Sequence, residues 1–147
     1  MGRKKLISPS RWRADKDGKY YFVQISCIAA RMTRDYDFDS DREKFALGNY
    51  FKSGKAAEAA AAAAREKFGK ALEKCEQRIM DADLAAWRKI CDLTGSMFAE
   101  GPSECLLAVN KVIKECADAH AAANAEMAKI RAKITAFIAA MPQEVAE

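Results

Sequence analysis

A single histidine, His120, stands in the whole chain, and no two of its five cysteines form a CxxC pair. The ligand spacings of a zinc site are therefore missing, and no metal centre or other cofactor is expected. Cys27, Cys75, Cys91, Cys105 and Cys116 are odd in number and far apart. Reduced thiols acting as small apolar residues are expected, not a disulfide framework. No apolar run is long enough to cross a bilayer, and none follows the basic start as the core of a signal peptide would. A cytoplasmic chain without a membrane partner is the expectation. A glycine-rich phosphate loop, a Ser-His-Asp order and a spaced pair of catalytic acids are also lacking. No enzyme is expected.

The charge is 25 basic against 21 acidic residues. The excess sits at the start, where Arg3, Lys4, Lys5, Arg11, Arg13, Lys16 and Lys19 face only Asp15 and Asp17. The remainder is close to neutral, so nucleic-acid affinity is not spread over the whole surface.

The strongest periodicity lies between Pro102 and Met141. Leu106, Val109, Ile113, Cys116, His120, Ala123, Met127, Ile130, Ile134, Phe137 and Met141 alternate steps of three and four. Such a 3.5-residue period marks a helix laid lengthwise along another. A preceding helix is expected from Ser53, a capping residue, through the near-pure alanine block Ala56–Ala64 to about residue 94. Gly95 and Gly101-Pro102 punctuate the connection. The short connection makes the two helices antiparallel, and folding about Met97–Phe98 sets His120 opposite Gln77 and Arg78, with Asp81 or Asp83 within reach. His120 is expected as a buried seam residue that sets register. Trp87, Ile113, His120, Met127, Ile130, Ile134 and Phe137 form the expected packing and self-association set. Trp87, Met80, Leu107, Val112 and Ile138 lie off the main seam and need a cover, from the small sheet, a second copy or a partner.

Upstream, Asp17-Gly18 between Arg11-Trp12-Arg13 and Lys19–Cys27 reads as a hairpin turn flanked by strand formers. Tyr21, Val23, Ile25 and Cys27 would share one strand face. The fold class is thus α+β: a small N-terminal antiparallel sheet packed on a long, coiled-coil-like two-helix hairpin. The expected divisions are a basic tail at 1–9, a β-rich subdomain at 10–52, and a helical hairpin at 53–147 with helices at about 54–94 and 102–141.

Two surface features invite function. In an extended chain Asp35, Asp37, Asp39 and Asp41 would share one side, with Glu43 just beyond, forming an acidic edge for a basic partner groove. The bland alternative is a solvated loop that discourages edge pairing. A calcium loop would need glycine and glutamate where Ser40 and Ala46 stand. Arg3, Lys4, Lys5, Arg11, Trp12 and Arg13 combine basic and aromatic character, as single-stranded nucleic-acid platforms do; Trp12 equally suits the packing of a tiny sheet.

The stretch from Trp12 to about Phe68 resembles a small domain of uncharacterised bacteriophage and prophage proteins. The resemblance rests on Trp12, Gly18 and Tyr20-Tyr21-Phe22-Val23, then Gly48-Asn49-Tyr50-Phe51-Lys52-Ser53 before the alanine helix. Ala14 departs from an expected proline, and glutamates are few after Ser53. The resemblance covers a little over a third of the chain and implies a phage setting, with no catalytic residues to transfer. With the size of the chain and its lack of catalytic residues, that setting fits a phage-encoded interaction protein in the bacterial host cytoplasm that binds and sterically blocks a bacterial defence complex, as anti-CRISPR proteins do. The partner would be a host protein or nucleoprotein complex. Two other expectations stand beside it: a nucleic-acid-binding accessory factor of phage replication or recombination acting through the basic N-terminus, and a structural homo-oligomer.

Overall fold

The structure, a computed structural model, describes residues 11–95 and 101–144; Arg3, Lys4 and Lys5 lie outside them. The fold is α+β. Strands β1 (Lys19–Gln24) and β2 (Ala29–Arg34) precede helices α1 (Asp39–Ala46), α2 (Gly54–Gly95) and α3 (Pro102–Ala139). The chain divides into two compact units, one of residues 1–67 with 133–147 and one of 68–132.

In the first unit β1 and β2 form an antiparallel pair with Tyr20 opposite Thr33 and Val23 opposite Ala30. This corrects the expected hairpin. The Asp-Gly turn exists, with the Gly18 N–H on the Asp15 carbonyl at 2.7 Å, but it leads into β1 and does not join two strands. Arg11–Arg13 is not a strand; β1 pairs forward with residues whose own strand signal is weak. Nor does one face of β1 hold the buried residues, since Tyr20 and Val23, on opposite faces, are both buried.

The reason is that β1 is covered on its outer edge as well. Tyr21 exchanges both backbone hydrogen bonds with Phe51, at 2.9 and 2.7 Å. Two residues along, the Asn49 carboxamide takes the place of a backbone. Its Oδ1 accepts the Val23 N–H at 2.7 Å and its Nδ2 donates to the Val23 carbonyl at 2.6 Å. Tyr50, between them, stacks on Tyr20 with ring centroids 4.0 Å apart. Gly48 stands at φ +79, and a Cβ there would lie 2.9 Å from the Ala139 Cα, so both backbone and space demand glycine.

The alanine block explains how α2 meets the sheet. Ser53 Oγ accepts the Ala56 N–H, capping the helix. Ala56, Ala57, Ala60, Ala61 and Ala64 are buried along one stripe. Their small side chains allow close approach: a Cβ on Gly54 would sit 3.0 Å from the Tyr21 ring, and the Arg65 guanidinium donates to the Ile28 carbonyl at 2.7 Å. The C-terminal segment closes the unit. The Gln143 carboxamide accepts the Trp12 N–H and donates to the Trp12 and Tyr50 carbonyls.

The second unit is an antiparallel pair of helical segments from α2 and α3. Leu93 meets Cys105, Lys89 pairs with Glu115, Asp83 with His120 and Arg78 with Glu126. His120 therefore lies about one and a half turns from the predicted Gln77 and Arg78. The displacement has a geometric cause. Side chains lean toward the N-terminus of their own helix. Those of α2 lean away from the connection and those of α3 toward it, so contacting residues carry higher numbers than facing backbones imply.

The packing period also differs from the predicted heptad. Cys105, Cys116, Met127 and Ile138 are buried or half-buried at intervals of eleven, as are Val112, Ala123 and Ile134. On α2 the same interval relates Phe68, Ile79 and Ile90, and again Ala64, Cys75 and Ala86. Eleven residues over three turns is about 3.67 per turn, close to a relaxed α-helix, whereas heptads require under-winding.

Candidate functional site

The change of period decides which residues the hairpin leaves outside. In the first third of α3 the inward positions are Cys105 and Val112, one residue away from Leu106 and Ile113. Leu106 and Ile113 are consequently 61% and 52% exposed. On α2, Met80, Leu84 and Trp87 follow at steps of four and three and are also exposed, Trp87 by 66%. The heptad seam of α3 thus divides. Its second half, with Met127, Ile130 and Ile134, is buried, and Phe137 is half-buried. In its first half Leu106 and Ile113 face solvent, while Val109, Cys116 and His120 are half-buried. Ile113 and Trp87 therefore stand outside the hairpin's own packing, unlike the rest of the predicted set.

A groove of about 400 Å³ runs between the helices here, lined by Ala86, Trp87, Ile90, Ile113 and Ala117 together with Asp83, Cys116 and His120. Its polar corner is compact. The His120 Nε2 lies 2.6 Å from the Asp83 Oδ1, and the Cys116 thiol donates to the same oxygen at 3.5 Å. His120 is half-exposed, which corrects the buried seam histidine expected. Burial and the Asp83 carboxylate both push the Cys116 thiol up. This is not a catalytic triad. A nucleophilic cysteine would aim its sulfur at the imidazole and have its pKa lowered; here thiol and imidazole both turn to one carboxylate oxygen.

The acidic segment is not laid out on one face. Asp35 and Asp41 are 2% and 4% exposed. Asp35 accepts from the Arg13 Nε at 2.9 Å, the Tyr50 hydroxyl at 2.7 Å and the Asp37 N–H at 2.9 Å. Burial pushes its carboxyl up, but these hydrogen bonds outweigh burial and hold it below its ordinary range. Burial and the bond to Asp35 push the Tyr50 hydroxyl up to about 12. Asp41, in the first turn of α1, accepts the Tyr20 hydroxyl at 2.7 Å on one oxygen and the N–H groups of Tyr36 and Phe38 on the other. It is a helix-capping residue. Asp37 is held by Arg42 and Arg13, which keep its carboxyl below its ordinary range. Of the predicted acidic edge, Asp39 and Glu43 face solvent without such roles, apart from a 3.8 Å contact of Asp39 with Arg42. The alternation failed as a guide because α1 begins at Asp39, so the segment is not one extended strand.

Arg11, Trp12 and Arg13 are likewise engaged. The Arg11 Nη2 donates to the Gly48 carbonyl at 2.7 Å, the Trp12 ring packs 5.7 Å from Tyr50, and Arg13 lies over the Phe45 ring. Sequence reasoning missed Gln143, the strand-like role of Asn49 and the place of Cys116 in a cluster with Asp83 and His120, although it set Asp83 among the residues within reach of His120. The four-residue step from Cys116 to His120 was readable as one helix face, but Asp83 joins them only through the hairpin register.

Among the described residues no helix is long and apolar enough to cross a membrane. Compared with known protein families, curated proteins and solved structures, the chain matches none.

Proposed function

We propose that this chain is a non-enzymatic binding protein whose hairpin groove receives an apolar helix of a host protein. The observation that carries the reading is that Leu106 and Ile113 of the α3 heptad seam are exposed, as are Met80, Leu84 and Trp87 on α2, with Ile113 and Trp87 lining one groove. A 3.5-residue seam suits a further helix, and an exposed apolar stripe of this kind marks an interaction surface. The phage resemblance of Trp12 to Phe68 supports a partner within a bacterial defence complex, which the bound protein would block sterically. The occupied state of Asp35, Asp41, Arg11 and Arg13 moves the proposed contact from the acidic segment and the basic N-terminus to the hairpin.

The test is affinity capture from nuclease-treated bacterial lysates carrying several defence systems, comparing the native chain with a Trp87→Ser, Ile113→Ser variant. A defence-complex subunit retained by the native chain and lost by the variant, with the purified complex inhibited only by the native chain, supports the reading. Equal capture by both, or recovery of the bait alone, refutes it. A second copy is the other occupant that the same stripe suits. Light scattering that shows a dimer dissociated by the double substitution would assign the stripe to self-association instead.

A further inference from the structure

Apart from any partner, we infer that Asp83, Cys116 and His120 form a binding site for a divalent transition-metal ion of the zinc class. The carboxylate, thiol and imidazole each offer one ligand atom, and the three atoms lie within 4.8 Å of one another. Cys116 and His120 are one helical turn apart on α3, so their side chains rise from the same face. Asp83 comes from α2 across the groove. The site is therefore made by the tertiary pairing of two helices within one unit and not by a local sequence motif.

The geometry requires only a small adjustment. Metal bonds of about 2.0–2.3 Å in a tetrahedral arrangement place ligand atoms about 3.3–3.7 Å apart. The Cys116–Asp83 separation of 3.5 Å already meets this, and the His120–Asp83 separation of 2.6 Å must widen by about 1 Å. Asp83 is exposed and His120 half-exposed, so both can change rotamer without disturbing the core. The thiol proton leaves to solvent as the Cys116 sulfur binds, and the neutral imidazole keeps its remaining proton on the other ring nitrogen. Affinity therefore falls as pH falls.

The donor set selects the ion. A thiolate and an imidazole suit zinc-class ions, while magnesium and calcium take oxygen ligands. Three protein ligands leave one tetrahedral position, which water or an added donor can fill. Around it stand Trp87, Ile113, Ile90 and Ala117, which supply no ligand.

Cobalt(II) is the probe, because its bond to a thiolate is visible in the near-ultraviolet spectrum. The reduced full-length chain is titrated with Co²⁺ and then with Zn²⁺. A thiolate-to-cobalt band that saturates near one equivalent and is displaced by Zn²⁺ is expected. Cys116→Ser should abolish the band, while Cys27→Ser and Cys91→Ser, at the two exposed cysteines, should leave it intact. Loss of an outer-shell group alone costs about 10–100-fold in metal affinity, so loss of a ligand in His120→Gln or Asp83→Asn should weaken binding by at least about tenfold. Circular dichroism checks that every variant keeps its helices. Absence of a band, its survival in Cys116→Ser, or its loss with Cys27 or Cys91 would overturn the assignment.

Discussion

Replacing Asn49 by alanine removes a side chain that acts as a length of strand. Both polar groups of the Val23 peptide positions that point away from β2 depend on it, at 2.7 and 2.6 Å, and Val23 and Asn49 are both buried. An unsatisfied buried backbone group costs about 1–3 kcal/mol. Two such groups give about 2–6 kcal/mol, and water entering the space left by the carboxamide favours the lower end, about 2–3 kcal/mol. Urea unfolding should be followed by Trp12 fluorescence in a Trp87→Phe background, so that the signal comes from the sheet-bearing unit. Exchange of the Val23 amide, read by nuclear magnetic resonance, should quicken by about tenfold per 1.4 kcal/mol lost. Asn49→Asp sharpens the test. It keeps an acceptor for the Val23 N–H but, when ionised, sets an oxygen against the Val23 carbonyl. Its deficit relative to the native chain should narrow as pH falls and the carboxyl gains a proton. A loss below about 0.5 kcal/mol for Asn49→Ala, with unchanged Val23 protection, would refute the reasoning.

Two further outcomes follow from the same unit. Gly48→Ala should destabilise by about 2–5 kcal/mol, from the left-handed backbone and the contact with Ala139, as measured by urea unfolding; a neutral result would refute the packing described. Asp35 and Asp37 are both held below the ordinary carboxylate range in the folded chain, so their stabilisation is complete above about pH 4 and lost as pH drops through their lower folded values. Urea midpoints should therefore fall on the acid side of pH 4, and Asp35→Asn should flatten that dependence.

The helices were legible because their signals are local: Ser53 as a cap, alanine after it, Gly95 and Pro102 as punctuation. Strand β1 was legible from its aromatic and β-branched residues. Strand β2 was not, since Ala29-Ala30-Arg31-Met32 carries little strand preference and is extended because β1 offers a ladder. The bend before it places Ile28 at φ 46, a conformation that β-branched residues seldom take and no turn rule anticipates. The acidic run misled because alternation was read without the helix that begins inside it. The hairpin seam was partly legible: bulky residues gave a heptad, but packing at eleven-residue intervals turned Leu106 and Ile113 outward. The Asp83–Cys116–His120 cluster needed the register, which depends on the lean of side chains as well as on the position of the connection.

The Asn49 clasp also bears on what the sheet cannot do. A growing fibril recruits strands through free backbone donors and acceptors at an edge. On β1 the outward groups of Tyr21 and Val23 are taken, one pair by Phe51 and the other by a carboxamide that no incoming strand can extend. On β2 the exposed side chains of Arg31 and Arg34 would bring like charges together between copies. The two-stranded sheet is thereby closed to further strands on β1 at Tyr21 and Val23 and discourages them by charge on β2.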